Sequence, residues 1–405
     1  MPITLENLSI ASSANVDFEV NAGSAAGTLS SVGGLVMPTG SPVRSSAYNN
    51  GPLAGFKNKI INGRMDISQR GTTFTNPAAN TTTLDRWKVN YITSATFTVA
   101  WTSDGPANTS FNNSLRLTVT GADTSIASTD IFTIRQRIEG INILDFFENS
   151  MRLTFWFKAT VTGSYAASLF NENGDRCIVF RFIVTAANTW QQFSFQVDKI
   201  NSAPAGGAWN KTTGIGLQLA FTLASGTTYQ TSNTAELGWG WQTGTFLAST
   251  AQVNALNAIN NIVAITGVSL TAEEGAALPD HNVNFHAFEQ RGVQTEYALC
   301  QRYYQEIGTS GDNILVYQNT NVYPSASAVT YYFTTAYPVT MRPTPTASLI
   351  TSGGSWGSSN GLTLSVTPSI NTIRYNMTVG ANPSSSVFYF QNWNPSNRIV
   401  LESEL

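Results

Sequence analysis

The sequence predicts an all-β protein: a jelly-roll β-sandwich plus a smaller C-terminal β domain, joined by one helix and preceded by an extended N-terminal arm. Three observations lead there. From about Phe56 onward, short segments rich in Val, Ile, Thr, Phe, Tyr and Trp alternate apolar with polar residues and are separated by Gly, Asn and Ser. Strands interleaved with helices, the pattern of a parallel α/β fold, are absent. Only the stretch 291–308 keeps a helical period. The 405 residues exceed one ordinary core, and the boundaries fall at 1–55 (arm), 56–290 (jelly roll), 291–308 (helix) and 309–405 (C-terminal β domain).

Residues 1–55 are rich in Ala, Gly, Ser and Asn, with Phe18, Val20, Leu35 and Val36 as scattered apolar anchors. Such a stretch buries too little surface to fold alone. It reads either as a disordered tail or as an arm that orders on a partner, and the anchors favour the arm. Pro38, Gly40, Pro42, Gly51 and Pro52 punctuate its end.

In the jelly roll, KNKIINGRMDISQRG and LDRWKVNYITSATFTVAW read as the first strands, followed by SLRLTVTG and FTIRQRIEG. In the latter, Ile134, Gln136 and Ile138 share one face, while Arg135, Arg137 and Glu139 share the other as a solvated or cross-strand ion set. MRLTFWFKATVTGSYAASLF gives two strands around a turn at Thr162–Gly163, with Trp156 expected in the core. CIVFRFIV, WQQFSFQV, GIGLQLAFTLAS and AITGVSL complete the set, the signature of a sandwich or jelly roll. In AQVNALNAINNIV, Val253, Leu256, Ile259 and Val263 have a spacing that admits a short helix on the sandwich.

In 291–308, Val293, Tyr297, Cys300, Tyr304 and Ile307 recur at spacings of four and three, which predicts one helix whose apolar face packs on the jelly roll; Gly308 would end it. After it come further strand-like runs, from NILVYQNTNVYP to SVFYFQNW.

Charged residues are 11%, against about 25% in an ordinary soluble domain. Hydroxyls and amides take their place, which suits structural and carbohydrate-facing β proteins. A net charge of −3 supplies no basic field for nucleic acid. Cys177 and Cys300 make no disulfide framework and read as buried thiols. The start MPITLENLSI lacks the pattern of a signal peptide, and no apolar run reaches the roughly 18 residues of a membrane span.

NGRMDISQRGTTF, LDRWKV, QRIEGINIL, MRLTFWFKATVTG, NTWQQFSFQV, VAITGVSLTAEEG, EYALCQRYYQ and YPVTMRPTPT, in this order, resemble a widespread family of bacteriophage and prophage tail-fibre or receptor-binding-type proteins. The resemblance covers roughly residues 56–346. It implies a virion structural protein, usually homotrimeric, with an N-terminal attachment part, a jelly roll like a carbohydrate-binding module, and a role in binding host-surface glycans. It carries over no catalytic residues. Residues 1–55 would then dock on other virion proteins. A head, collar or baseplate decoration protein and a surface-polysaccharide depolymerase are the alternatives.

The residues themselves give little chemistry. His281 and His286, five apart, match neither the helical spacing of a zinc pair nor a cysteine-supported site. Acidic residues are sparse, Glu273 and Glu274 are adjacent so that their side chains diverge, and no nucleotide or nucleophile motif is present. No enzyme activity, metal or cofactor is expected. Glycan binding needs exposed rings with amides and hydroxyls around them. The candidates are Trp209 in a Gly/Pro-rich loop, Trp239 and Trp241, two apart and flanked by Gly, and Trp356. Tyr331, Tyr332 and Trp393 are further ones.

Overall fold

A computed structural model describes residues 56–233, 240–273, 288–307, 328–350, 363–379 and 398–405, with short strands at Val16–Phe18, Gly27–Ser30, Gly34–Val36, Val316–Asn319, Gly357–Ser358 and Val387–Gln391. The chain divides into two compact units, Met1–Gly55 and Phe56–Leu405. In the first, the three short strands pair antiparallel.

The second unit is built on a sandwich. Its strands are β1 (Thr73–Thr75), β2 (Lys88–Ile92), β3 (Thr96–Thr102), β4 (Ser114–Gly121), β5 (Ile131–Glu139), β6 (Ser150–Ala159), β7 (Gly163–Phe170), β8 (Arg176–Val184), β9 (Gln191–Val197), β10 (Ile215–Ser225), β11 (Gln242–Thr243) and β12 (Ile262–Glu273). They form two six-stranded antiparallel sheets, ordered β11-β8-β7-β10-β5-β2 and β9-β6-β12-β4-β3-β1. The protein is therefore an all-β sandwich. Thr162–Gly163 is the turn between β6 and β7, but these strands lie in different sheets, so the turn passes the chain from one layer to the other.

Alternation explains the core. On β5, Phe132, Ile134 and Ile138 face inward with Gln136, while Phe155 and Phe157 of β6, Phe180 and Phe182 of β8 and Phe221 of β10 meet them from both sheets. The rings interlock: Phe155 lies 4.8 Å from Phe221 and Phe157 5.0 Å from Phe182, both edge-on. Trp87 is fully buried, and its Nε1 donates to the Asn62 carbonyl at 3.1 Å.

Several expectations are corrected. The stretch KNKIINGRMDISQRG forms turns and loop, not a strand. Buried Asn62 takes the place of strand pairing: its Nδ2 donates to the carbonyls of Ile67 and Asp85, and its Oδ1 accepts from the Ile67 amide. AQVNALNAINNIV makes no helix. Asn254 and Asn261 bond the backbone of Leu256 and Ala255, turns replace it, and Ile259 is exposed. Trp156 is not core; its neighbours Phe155 and Phe157 point inward, so by strand alternation its ring lies on the outer face. There it rests over Gly267, where a Cβ would come within 2.9 Å of the indole.

The helix is shorter than predicted. α1 spans Val293–Gln301, and the chain then turns into β13 (Tyr304–Ile307). The seam is not a buried face: Val293 is 62% exposed and Tyr297 41%, and within the helix only Cys300 is buried. Tertiary pairing overrides the helical period, because Tyr304–Ile307 pairs with β18 (Arg398–Glu402). β15 (Thr346–Ile350) pairs on the other side of β18. A further sheet consists of β14 (Val329–Ala336), β17 (Thr372–Val379) and β16 (Thr363–Pro368), in that order.

Candidate functional site

The predicted ring sites are not brought together. Trp239, Trp356 and Trp393 lie outside the described residues, as does the side chain of Tyr331. Trp241 is only 5% exposed, which rules out a free stacking face there. Its Nε1 donates to the Asp198 carbonyl at 3.2 Å, and Trp209 stands edge-on against it at 5.1 Å. Trp209 is half-buried and also meets Phe147 edge-on. Gly240 has open space where a Cβ would sit, but Trp209 and the core cover the Trp241 ring. These two tryptophans pack against the sandwich core.

The outer face of the sheet containing β5 is covered by the chain itself. Phe246, Leu247 and Ala248 lie on Phe170, Cys177, Ala220, Ala166 and Val179, and the Thr222 hydroxyl donates to the Leu247 carbonyl at 2.6 Å. The other end of this face is the expected ion set, which is not solvated. Arg137 donates to the Leu405 carbonyl at 2.6 Å, Lys88 to the same oxygen at 3.1 Å, and Arg302 pairs with both oxygens of fully buried Glu139 at 2.8 and 2.9 Å. Arg86 and Arg70 close on Glu404. The motifs LDRW, QRIEG, LCQRYY and YPVTMRPT thus converge on one joint, since Arg342 also donates to the carbonyls of Ser403 and Glu404.

This joint holds Glu139, Glu404 and Asp85, whose protonation the fold shifts. Burial alone would raise the carboxyls of Glu139 and Glu404, but Arg302 with Tyr303, and Arg86 with Arg70, outweigh it and hold both below the usual range. Burial raises Asp85, and Arg70 offsets that only in part. Perturbed acids often mark active sites. Here both oxygens of Glu139 and of Glu404 already have donors, so the arrangement is a fastening rather than a reactive centre.

On the outer face of the second sheet, Trp190 donates to Asp104 at 3.3 Å while Lys158 lies 5.0 Å from its ring and pairs with Asp104. Those polar groups are spent on one another.

A further aromatic surface is the sheet of β14, β17 and β16. Ile373, Tyr375, Phe333, Leu364 and Val366 turn to one side and pack with Tyr337, Met341, Ile399 and Leu401. The opposite face carries Tyr332, 62% exposed, in register with Asn376, which is in register with Ser365. The next row is Thr334, Arg374 and Thr367. Arg374 lies 5.1 Å from the Tyr332 ring and its Nε donates to Asn376 Oδ1 at 3.0 Å. Asn376 Nδ2 donates in turn to Thr367 at 2.9 Å and Ser365 at 3.3 Å, and the Thr330 and Thr378 hydroxyls meet at 2.8 Å. The result is a flat exposed ring beside pre-oriented hydroxyl, amide and guanidinium groups. Sequence reasoning picked out Tyr332 but missed Arg374 and Asn376. The alternation of TIRYNMTV, with Arg374, Asn376 and Thr378 on one side, was the signal that could have found them.

No family model and no curated protein matches the sequence. Among solved structures, the chain is similar to the enzymatically active domain of bacteriophage CBA120 tailspike protein 4, at 13% identity and a TM-score of 0.29, over 54% of this chain and 22% of that one. It is similar to a CBM4 structure, at 16% identity and a TM-score of 0.28, over 52% of this chain and 98% of that one. A third likeness is TmCBM61 in complex with beta-1,4-galactotriose, at 11% identity and a TM-score of 0.26, over 54% of this chain and all of that one, 100%. These overlaps are loose, and the sandwich is defined by this chain's own strand pairing.

Proposed function

We propose that this chain is a non-enzymatic bacteriophage virion protein of the tail-fibre or receptor-binding type, and that it holds host-surface glycan on the face of β14, β17 and β16. The observation that carries the binding site is Tyr332, an exposed ring set in a hydrogen-bonded row of Asn376, Ser365, Thr367 and Arg374. A sugar's apolar face stacks on such a ring while its hydroxyls exchange hydrogen bonds with the Ser365 and Thr367 hydroxyls and the Arg374 guanidinium, which Asn376 orients. The three strands contain no Asp or Glu. Glycoside hydrolysis needs two carboxyl groups flanking the bond, so this face suits holding a glycan and not cleaving it.

In this reading residues 1–55 dock the protein on other virion proteins, and the working form is a homotrimer. The test is a glycan array on the full chain beside Tyr332→Ala and Asn376→Ala. Saturable binding of at least one surface glycan, weakened tenfold or more by Tyr332→Ala, is expected. Binding indifferent to both substitutions overturns the site. Sedimentation of the full chain and particle incorporation of a chain lacking residues 1–55 test the trimer and the arm.

A further inference from the structure

We infer that a cleft between α1 and the loop 66–69 is a second, separate sugar site, shaped for the terminal ring of a neutral or amine-bearing glycan. The cleft has a volume of about 350 Å³ and is lined by Asp66, Ile67, Ser68, Gln69, Tyr297 and Glu306. Small-ligand pockets run from roughly 300 to 1,000 Å³, so this one has room for one or two sugar rings.

Its walls are fixed before any ligand arrives. The loop side is held by Asn62, which bonds both the amide and the carbonyl of Ile67. Gln69 is anchored by its amide and side chain to Asp85, both at 2.6 Å, and by its side chain to the Tyr304 carbonyl at 3.3 Å. Glu306 lies in β13, locked in register with β18. A preformed site avoids the ordering cost that a mobile loop would add on binding.

The lining has the parts that sugar recognition requires. Tyr297, on the exposed side of α1, offers a ring with no core role. Asp66 and Glu306 are acceptors for hydroxyl donors, and bonds to an ionised carboxylate are the strong kind. Asp66 Oδ1 accepts from Asn113 at 2.9 Å and its Oδ2 faces Arg64 at 3.2 Å. Glu306 receives both Tyr304 and Arg398 on Oε1, which leaves Oε2 with acceptor capacity among the described residues. The arginines that pair with Asp66 and Glu306, Arg64 and Arg398, are not among the lining residues, so a carboxylate in the cleft would meet acceptors and no cation. Uronic and sialic acids are therefore disfavoured, while an amine on the sugar is favoured.

This site goes beyond the Tyr332 face, and the two stand on different elements. The experiment is saturation-transfer NMR and calorimetry on the full chain with methyl galactoside, glucosamine and glucuronate as probes. Methyl galactoside or glucosamine is expected to bind saturably, with glucuronate at least tenfold weaker. Tyr297→Ala should weaken binding at least tenfold, Tyr297→Phe should retain it, and Tyr332→Ala should leave it unchanged. Asp66→Asn should narrow the gap between glucosamine and glucuronate. The inference is overturned by no saturable binding of any probe, by binding that survives Tyr297→Ala, or by loss of binding on Tyr332→Ala. Glucuronate binding as tightly as glucosamine overturns the charge assignment. If instead the glycan array shows no role for Tyr332 while Tyr297→Ala abolishes probe binding, the sheet-face reading fails and the cleft stands.

Discussion

The Arg86 guanidinium lies 3.5 Å from the centroid of the Tyr303 ring and forms an ion pair with Glu404. Three stretches far apart in the chain meet at that one cation. Its side chain is buried, as is that of Glu404, so neither charge has solvent to fall back on if its partner is lost.

Glu404→Ala should therefore be costly out of proportion to its size. Removing one partner of a buried pair leaves the other charge uncompensated, at about 3–5 kcal/mol. Chemical denaturation should show a fall of that order in unfolding free energy. A change below about 1 kcal/mol would mean that Arg86 and Arg70 find water in the folded state.

The same joint sets the acid limit of the fold. Glu139 and Glu404 have folded pKa values below those of the unfolded chain, about 4.3. Their contribution is complete above that unfolded value and is lost as the pH falls through their folded values. Asp85 is raised and acts in the opposite sense. It binds its proton earlier in the folded state, so acidification from its folded value down to about 3.9 relieves a cost. Denaturation midpoints at pH 7, 5, 4 and 3 should fall steeply only below about pH 4.3. Glu139→Gln and Glu404→Gln should each flatten that fall; an unchanged slope in both would remove the joint from the account.

On the alkaline side Lys88 acts against the two buried thiols, whose raised pKa values cost stability once the unfolded thiols ionise. Burial, helped by Arg137, lowers the Lys88 pKa to about 8. The unfolded lysine, near 10.4, holds its proton over that whole interval. Stability contributed by Lys88 should therefore rise from about pH 8 to about 10, and Lys88→Met should abolish the rise. A midpoint that is flat or falling over this range in the parent chain, and equally so in Lys88→Met, counts against it.

Trp241 and Tyr332 should separate cleanly by experiment. Trp241→Ala empties a core position and should cost about 3–5 kcal/mol. Tyr332→Ala, on an exposed face, should stay within about 0.5 kcal/mol while weakening glycan binding. Thermal melts of the two variants beside the array result check the contrast. Equal destabilisation would mean that Tyr332 is packed in solution.

Cys177 and Cys300 should be silent to thiol reagents in the native protein. Both are buried and free, and burial pushes the Cys177 thiol up to about 11 and raises that of Cys300. Reaction with Ellman's reagent should appear only with denaturant. Fast reaction in native buffer would reveal local opening of β8 or α1.

The parts of the fold legible in the sequence are those decided locally. Alternation put Ile134, Gln136 and Ile138 on one face of their strand, and that face is the buried one. Failures came where distant chain decides the environment. Tyr304 and Ile307 kept a helical period, yet the pairing offered by Arg398–Glu402 draws them into a strand. Arg137 and Glu139 read as a solvated or cross-strand ion set; Arg137 does reach Gln218 on the next strand, but nothing in QRIEG announces that Arg302 and Leu405 will cover the pair. Trp241 looked bare because a glycine neighbour says nothing about Trp209. The cleft beside Tyr297 was hidden for the same reason, since its two walls, residues 66–69 and Tyr297 with Glu306, are far apart in the chain.

Strand β12 has one further consequence. It is the last strand of the sandwich in sequence but lies between β6 and β4 in its sheet, where Val263 pairs with both Ala159 and Leu117. Before residues 262–273 arrive, β9-β6 and β4-β3-β1 are two separate ribbons with bare edges. Non-local closure of this kind is slow to nucleate, and unpaired edges invite pairing with other chains. A chain cut short of β12 should therefore yield aggregates rather than a smaller sandwich, and refolding yield should fall with protein concentration during the interval before that strand is inserted.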